Sequence, residues 1–189
     1  MPPVPSATRG VLAGAAALAL FAACEDPFAL PRASFPNVVD TVRLYALEGT
    51  ALHQPSAYHL ERAAPVRTDQ TFAFDFAFNV DSTGAPVFLP TGALGLGRGS
   101  GLQLVAQPFD SITLAPQRGY DDTTVAVVAA GDVILVRSRP ISCFFQGTFP
   151  LYAKTHVLAV DLVERTIDFE ILVNGNCGYR GLEPGLPER

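Results

Sequence analysis

Three histidines, His53, His59 and His156, are the residues with the widest chemical range. Imidazole binds metals and moves protons near neutral pH. His53 and His59 lie six positions apart in a loop-to-strand region, and His156 sits inside the alternating run YAKTHVLAV. None belongs to an H-x-H or H-E-x-x-H pattern, so spacing alone assigns no metal ligand. Convergence of two or three of them on a metal or haem is a question for the fold. The glycine-rich stretch TGALGLGRGSG, residues 91–101, invites a phosphate-loop reading. It fits neither G-x-G-x-x-G nor a loop ending in G-K-[ST], and Ser100 within it lacks a G-x-S-x-G elbow. It reads as a flexible connection. Asn79 to Gly84 (NVDSTG) has the oxygen spacing of the first half of a calcium loop, but Pro90 stands where the bidentate Glu is needed. A hairpin turn accounts for it better, and Asp121-Asp122 likewise reads as a solvated turn. Arg137 and Arg139 alternate along one strand. They are expected on one face, as a cationic patch or as ion-pair partners of Asp161, Glu164 or Asp168. No catalytic constellation and no cofactor site emerges.

The cysteines carry more information. Residues 1–9 contain Arg9 and no acid, and residues 10–23 (GVLAGAAALALFAA) are uncharged and lead directly to Cys24. A basic start, an apolar run and small residues before a cut are the parts of a secretory signal. Fourteen helical residues reach about 21 Å, short of a ~30 Å hydrocarbon core, so a permanent span is not expected. Phe21-Ala22-Ala23-Cys24 resembles the lipobox of bacterial lipoprotein precursors, with Phe21 where that family usually has Leu. The resemblance covers residues 1–24. It implies cleavage before Cys24, acyl chains on that residue and anchorage in a membrane. Residues 1–23 are then a signal peptide, and residues 24–37, with Pro27, Pro31 and Pro36, a lipidated tether. Residues 38–189 form one domain. No Arg-Arg pair marks the twin-arginine route.

Export leaves Cys143 and Cys177 in a compartment that permits disulfides. Two cysteines allow one pairing. No C-x-x-C occurs and no histidine adjoins either residue, so a structural disulfide is expected ahead of a redox or metal-binding pair.

The elements that position these residues read as strands. The chain has 189 residues, 49% hydrophobic and 16% charged, with 16 Gly and 16 Pro, which excludes a disordered tail and a long coiled coil. Its net charge of −5 sets nucleic acid aside as a partner. Thr71 to Asp81 (TFAFDFAFNVD) alternates at period two, placing Phe72, Phe74, Phe76, Phe78 and Val80 on one face and Asp75 on the other. Pro86 to Leu89 answers it across the Asp81–Gly84 turn. Further strands are expected at 38–47, 56–60, 102–107 and 111–114. Residues 123–129 and 133–139 read as a hairpin across Ala130-Gly131-Asp132. The longest pair is 151–163 with 166–173. The tail from Gly178 reads as loosely packed. These segments predict an all-β fold, an antiparallel β-sandwich or barrel of about eight to ten strands.

Val133–Arg139 with Leu151–Asp161 also loosely resembles a hairpin of secreted β-rich haem-binding lipoproteins, although no haem ligand maps onto any of the three histidines. Three functions follow as expectations. The first is a lipid-anchored envelope β domain with a non-enzymatic binding or structural role, held to the membrane through Cys24 and meeting an envelope protein partner. It would sit at the outer membrane, the periplasmic face or the cell surface. The second is a carrier of haem, metal or lipid, with the Phe stripe lining a cup. The third is a secreted hydrolase.

Overall fold

The computed structural model describes residues 32–143 and 147–187, so the apolar run 10–23 and Cys24, expected as a signal peptide and lipidation site, lie outside the described residues. Ten strands follow in chain order: β1 (Val39–Tyr45), β2 (Ala57–His59), β3 (Ala64–Val66), β4 (Phe76–Val80), β5 (Pro86–Pro90), β6 (Gly101–Val105), β7 (Ala126–Val127), β8 (Val133–Cys143), β9 (Gly147–Asp161) and β10 (Thr166–Asn174). They make two antiparallel five-stranded sheets, β1-β10-β9-β8-β6 and β3-β2-β4-β5-β7. The sheets face one another as a sandwich and do not close into a barrel. The helical element among the described residues is one 3-10 turn, Phe109–Ser111, and no described helix is long and apolar enough to cross a membrane.

Alternation explains the long strands. In β10, Ile167, Phe169 and Ile171 are buried between the sheets, while Asp168 and Glu170 lie on the outer face. Phe169 reaches across to Tyr58, Phe76 and Phe88, with ring centroids at 6.2, 6.0 and 5.6 Å. The interior is a continuous cluster that also takes in Leu44, Phe78, Ile134, Leu151 and Val157. The Phe residues of the alternating stripe that face inward fill a core and do not line a cup.

That stripe is shorter than its pattern. Strand β4 begins only at Phe76. Phe72 is 78% exposed and Asp75 is 1% exposed. Phe74, Asp75 and Phe76 are consecutive and all buried, so the two-residue period breaks there. Phe74 packs with Ala57 and Ala77 on the far side of the second sheet. Asp75 turns its carboxylate inward to backbone N–H groups.

The expected hairpin of 123–129 with 133–139 does not form. β7 pairs with β5 in one sheet and β8 with β6 and β9 in the other. The turn between them is a crossover held by β9: Gly131 N–H donates to Val157 O at 2.8 Å, and Val157 N–H to Asp132 O at 2.9 Å. The 91–101 connection also crosses between sheets, and residues 120–122 lie close against it. A Cβ on Gly92 would sit 2.0 Å from Asp122 O, and one on Gly101 would meet Tyr120 Cβ at 2.8 Å.

Residues 111–114 are no strand; Ser111 ends the 3-10 turn, and Leu114 forms an isolated bridge with Gly181 of the tail. The tail itself is docked. Tyr179 and Leu182 are buried, Ala115 N–H donates to Arg180 O, and Leu182 N–H to Thr113 O. Phe109, Ile112, Ala115 and Leu182 pack on Val133, Leu135, Tyr152 and Leu172, an irregular third layer over the outer face of the first sheet. Ser34 and Phe35 donate backbone N–H groups to Asn176 Oδ1 at 2.8 and 3.0 Å, and Asn37 exchanges backbone hydrogen bonds with Gly185. The end of the stretch expected as a tether is thus pinned to the tail. Cys143, at the end of β8, is bonded to Cys177, just after β10, with Cα atoms 6.0 Å apart.

The two ends of the Phe stripe separate core from surface. Phe78→Ala, at a fully buried position, should lower stability by about 3–5 kcal/mol, whereas Phe72→Ala should change it by no more than about 0.5 kcal/mol. Urea unfolding of both variants checks this; comparable losses would mean that the stripe packs as one face.

Candidate functional site

The richest polar constellation lies where five chain segments meet at one end of the sandwich. His59 ends β2, Asp75 precedes β4, Thr91 follows β5, Ser100 precedes β6, and Arg139 lies in β8. Arg139 gets there through a break in strand register between Arg137 and Pro140. Proline cannot donate to a ladder, so a strand accommodates it at an edge or a bulge. Here Ser138 Oγ turns in and accepts the Leu151 N–H at 2.8 Å. The bulge sends Arg137 and Arg139 to different places, so the expected shared face does not exist. Arg137 lies over the Tyr120 ring, 5.2 Å from its centroid, on the outer face. Arg139 crosses to the second sheet. Its Nη1 donates to Phe74 O at 3.1 Å and its Nη2 lies 2.9 Å from His59 Nε2.

Ser100, His59 and Asp75 together are the residue types of a nucleophilic triad. Their bonds do not have the triad's pattern. Ser100 Oγ donates to the backbone carbonyl of Asp75 and is within 3.1 Å of Thr91 Oγ1. The Asp75 carboxylate accepts N–H groups from Leu60 at 2.7 Å and Arg139 at 3.2 Å. A guanidinium only donates, so His59 Nε2 is an acceptor. His59 Nδ1 faces the Arg62 N–H at 3.3 Å. Neither ring nitrogen meets an acceptor, which opposes the imidazolium. All three side chains are buried. Burial first, and Arg139 second, hold His59 below its ordinary pKa, with Asp75 pulling weakly the other way. Burial raises the Asp75 carboxyl, opposed by its N–H donors and Arg139. The arrangement locks two sheets together, with His59, Asp75, Thr91 and Ser100 buried and Arg139 half-buried.

His156 lies elsewhere. It projects from the outer face of β9, where Nδ1 is 2.7 Å from Glu170 Oε1. That pair lines an open cleft of about 540 Å³ with Phe109, Asp110 and Asp132. Lys154, the single lysine, is buried two residues earlier on the same face. Its Nζ donates to Phe109 O at 2.8 Å and Ile112 O at 3.0 Å and stands 4.5 Å from the Phe109 ring centroid. Burial lowers its pKa. His53 is exposed in a loop. The three histidines therefore occupy three separate places, and no group of three or more His, Cys, Asp or Glu among the described residues is placed to hold a metal ion.

The two acidic turns are self-contained. Asp81 Oδ1 accepts from Thr83 N–H, Thr83 Oγ1 and Ala85 N–H, and these bonds hold its carboxyl below the usual range. Asp121 does the same with Thr123 and Thr124 and is pulled down to about 2. Both are Asx turns, with the carboxylate spent on the backbone. Asp168 pairs with Arg43 of β1 at 2.7 Å, leaving neither Arg137 nor Arg139 as its partner.

Sequence reasoning missed the burial of Asp75 and Lys154 and the inward turn of Arg139. Only Pro140, immediately after Arg139, signalled the bulge. No protein-family model and no curated protein matches the chain.

His59 sets a pH dependence. An unfolded histidine takes up a proton near 6.5, and the folded one only at lower pH. Between those values the unfolded chain binds the extra proton, so the stability contributed by neutral His59 is present above about pH 6.5 and lost as pH falls below it. The raised Asp75 carboxyl acts the opposite way in both proteins, so between pH 7 and pH 5 the thermal midpoint of the wild type should fall relative to that of His59→Gln. Parallel profiles for the two proteins would contradict this.

Proposed function

We propose that the chain is an exported, lipid-anchored β-sandwich of the cell envelope, with a non-enzymatic binding or structural role. In this reading residues 1–23 direct export, acyl chains on Cys24 hold the protein to a membrane, and the folded domain meets an envelope protein through its surface. The observation that supports it most is where the chemically capable side chains lie. His59, Asp75, Ser100 and Lys154 are buried and bonded to the fold itself. Such groups hold a domain in one arrangement; they are not free to meet a substrate. The Cys143–Cys177 bond suits an oxidising compartment.

A carrier is the second reading, favoured by the cleft beside His156 and Glu170. With the interior filled by aromatic rings, a haem, metal or lipid would sit in such an outer cleft. A small molecule retained by the purified native protein selects this reading.

Acylation decides the anchor. In cells fed labelled palmitate, the wild-type chain should take up label and Cys24→Ala should take up none. Absence of label from the wild type, or its persistence in the variant, would refute the lipoprotein reading.

A further inference from the structure

The geometry points to a membrane-contacting end of the sandwich, formed where the chain enters the domain. The inference rests on lipidation at Cys24 and goes beyond it by naming the surface that meets lipid.

Phe35 and Val38 are each 65% exposed, Leu186 is 62% exposed, and Val39 is partly so. They belong to one end of the first sheet. Val39 opens β1 opposite Leu172, Phe35 is tied by its N–H to Asn176 just beyond β10, and Leu186 follows the Asn37–Gly185 bridge. Behind them a slot of about 320 Å³ opens between the sheets, walled mainly by Val38, Val39, Tyr58, Ile171 and Val173, with Asp40 as its one charged lining residue. Scattered apolar side chains are normal on a protein surface, whereas a group of them in front of an apolar slot marks an interaction site.

Chain length says what covers it. Seven residues lie between Cys24 and Arg32, and the eight steps along the chain span at most about 28 Å. Acyl chains at Cys24 thus keep this end within that reach of the bilayer. The opposite end of the sheet, at the β9–β10 turn, stands about 20 Å further along β1. Among the described residues the rim carries exposed Arg32 and Arg62 against exposed Asp40, Glu61 and Glu183, so it offers no net basic surface to draw anionic headgroups. Contact is therefore through apolar area, with Phe35 and Val38 at the level of the headgroups and upper acyl chains, the depth at which an apolar face settles into an interface.

The chain contains no tryptophan, so one introduced residue reports one position. Phe35→Trp probes the proposed contact. Val163→Trp, at an 89% exposed residue in the β9–β10 turn, probes the far end. Full-length acylated protein is reconstituted into phosphatidylcholine vesicles containing brominated acyl chains, with and without phosphatidylglycerol. Phe35→Trp emission should fall by about twofold or more, as expected for a ring within the interface. Val163→Trp should be unaffected, and the result should not depend on the anionic lipid. Equal emission from the two positions in protein that floats with the vesicles and carries acyl mass would overturn the contact while leaving the anchor intact. Quenching that requires phosphatidylglycerol would overturn contact through apolar area. A chain without acyl mass would remove the anchor, and the inference with it.

Discussion

The structure depends on one buried joint. Phe169, near the middle of β10, is the residue of the first sheet whose ring meets Tyr58, Phe76 and Phe88 of the second. Each sheet has one apolar face that must be hidden, and a sandwich hides both against each other. Aromatic rings bury large areas with fixed geometry, so the spacing and mutual rotation of the sheets are set where those rings interlock. The short strands β2, β4 and β5 hold three of the four rings, and their place in the second sheet follows from this contact.

The ends of such a joint are exposed to a different problem. Chain segments crossing between the sheets bring backbone groups and polar side chains into dry surroundings, where each needs a partner. Arg139, Asp75, His59, Ser100 and Thr91 solve this at one end by bonding to one another and to the backbone of both sheets. Breaking a buried network by removing one charged member leaves the rest unpaired, so its members act together. On the outer face of the first sheet, Lys154 is handled in the same way, capped by two carbonyls and an aromatic ring of the third layer. These arrangements explain why residues of catalytic type occupy the interior of a domain whose accessible surface is comparatively plain.

The all-β class was legible because alternation was strong, and β10 shows why: Ile167, Phe169 and Ile171 point in while Asp168 and Glu170 point out. The Asp81–Gly84 hairpin was legible from turn chemistry. The single cysteine pairing followed from counting. Pairing between sheets was not legible. Residues 123–139 look like a hairpin locally, and only the hydrogen bonds from residues 131–132 to Val157 turn them into a crossover. Asp75 was hidden by its own neighbourhood, since Phe74-Asp75-Phe76 has the same period whether the aspartate faces water or two N–H donors. The docked tail was missed because Tyr179 and Leu182 are isolated apolar residues among turn formers, and their burial depends on a loop some 65 residues earlier in the chain.

In the proposed function, a packed, disulfide-bonded sandwich is exported and held at a membrane by its first mature residue. The intact mass of the protein taken from its native membrane tests this most directly. Under denaturing conditions it should correspond to Cys24 through Arg189 plus acyl chains, lighter by the two thiol hydrogens lost from Cys143 and Cys177, and native conditions should add no small molecule. The unmodified mass of all 189 residues would contradict the account.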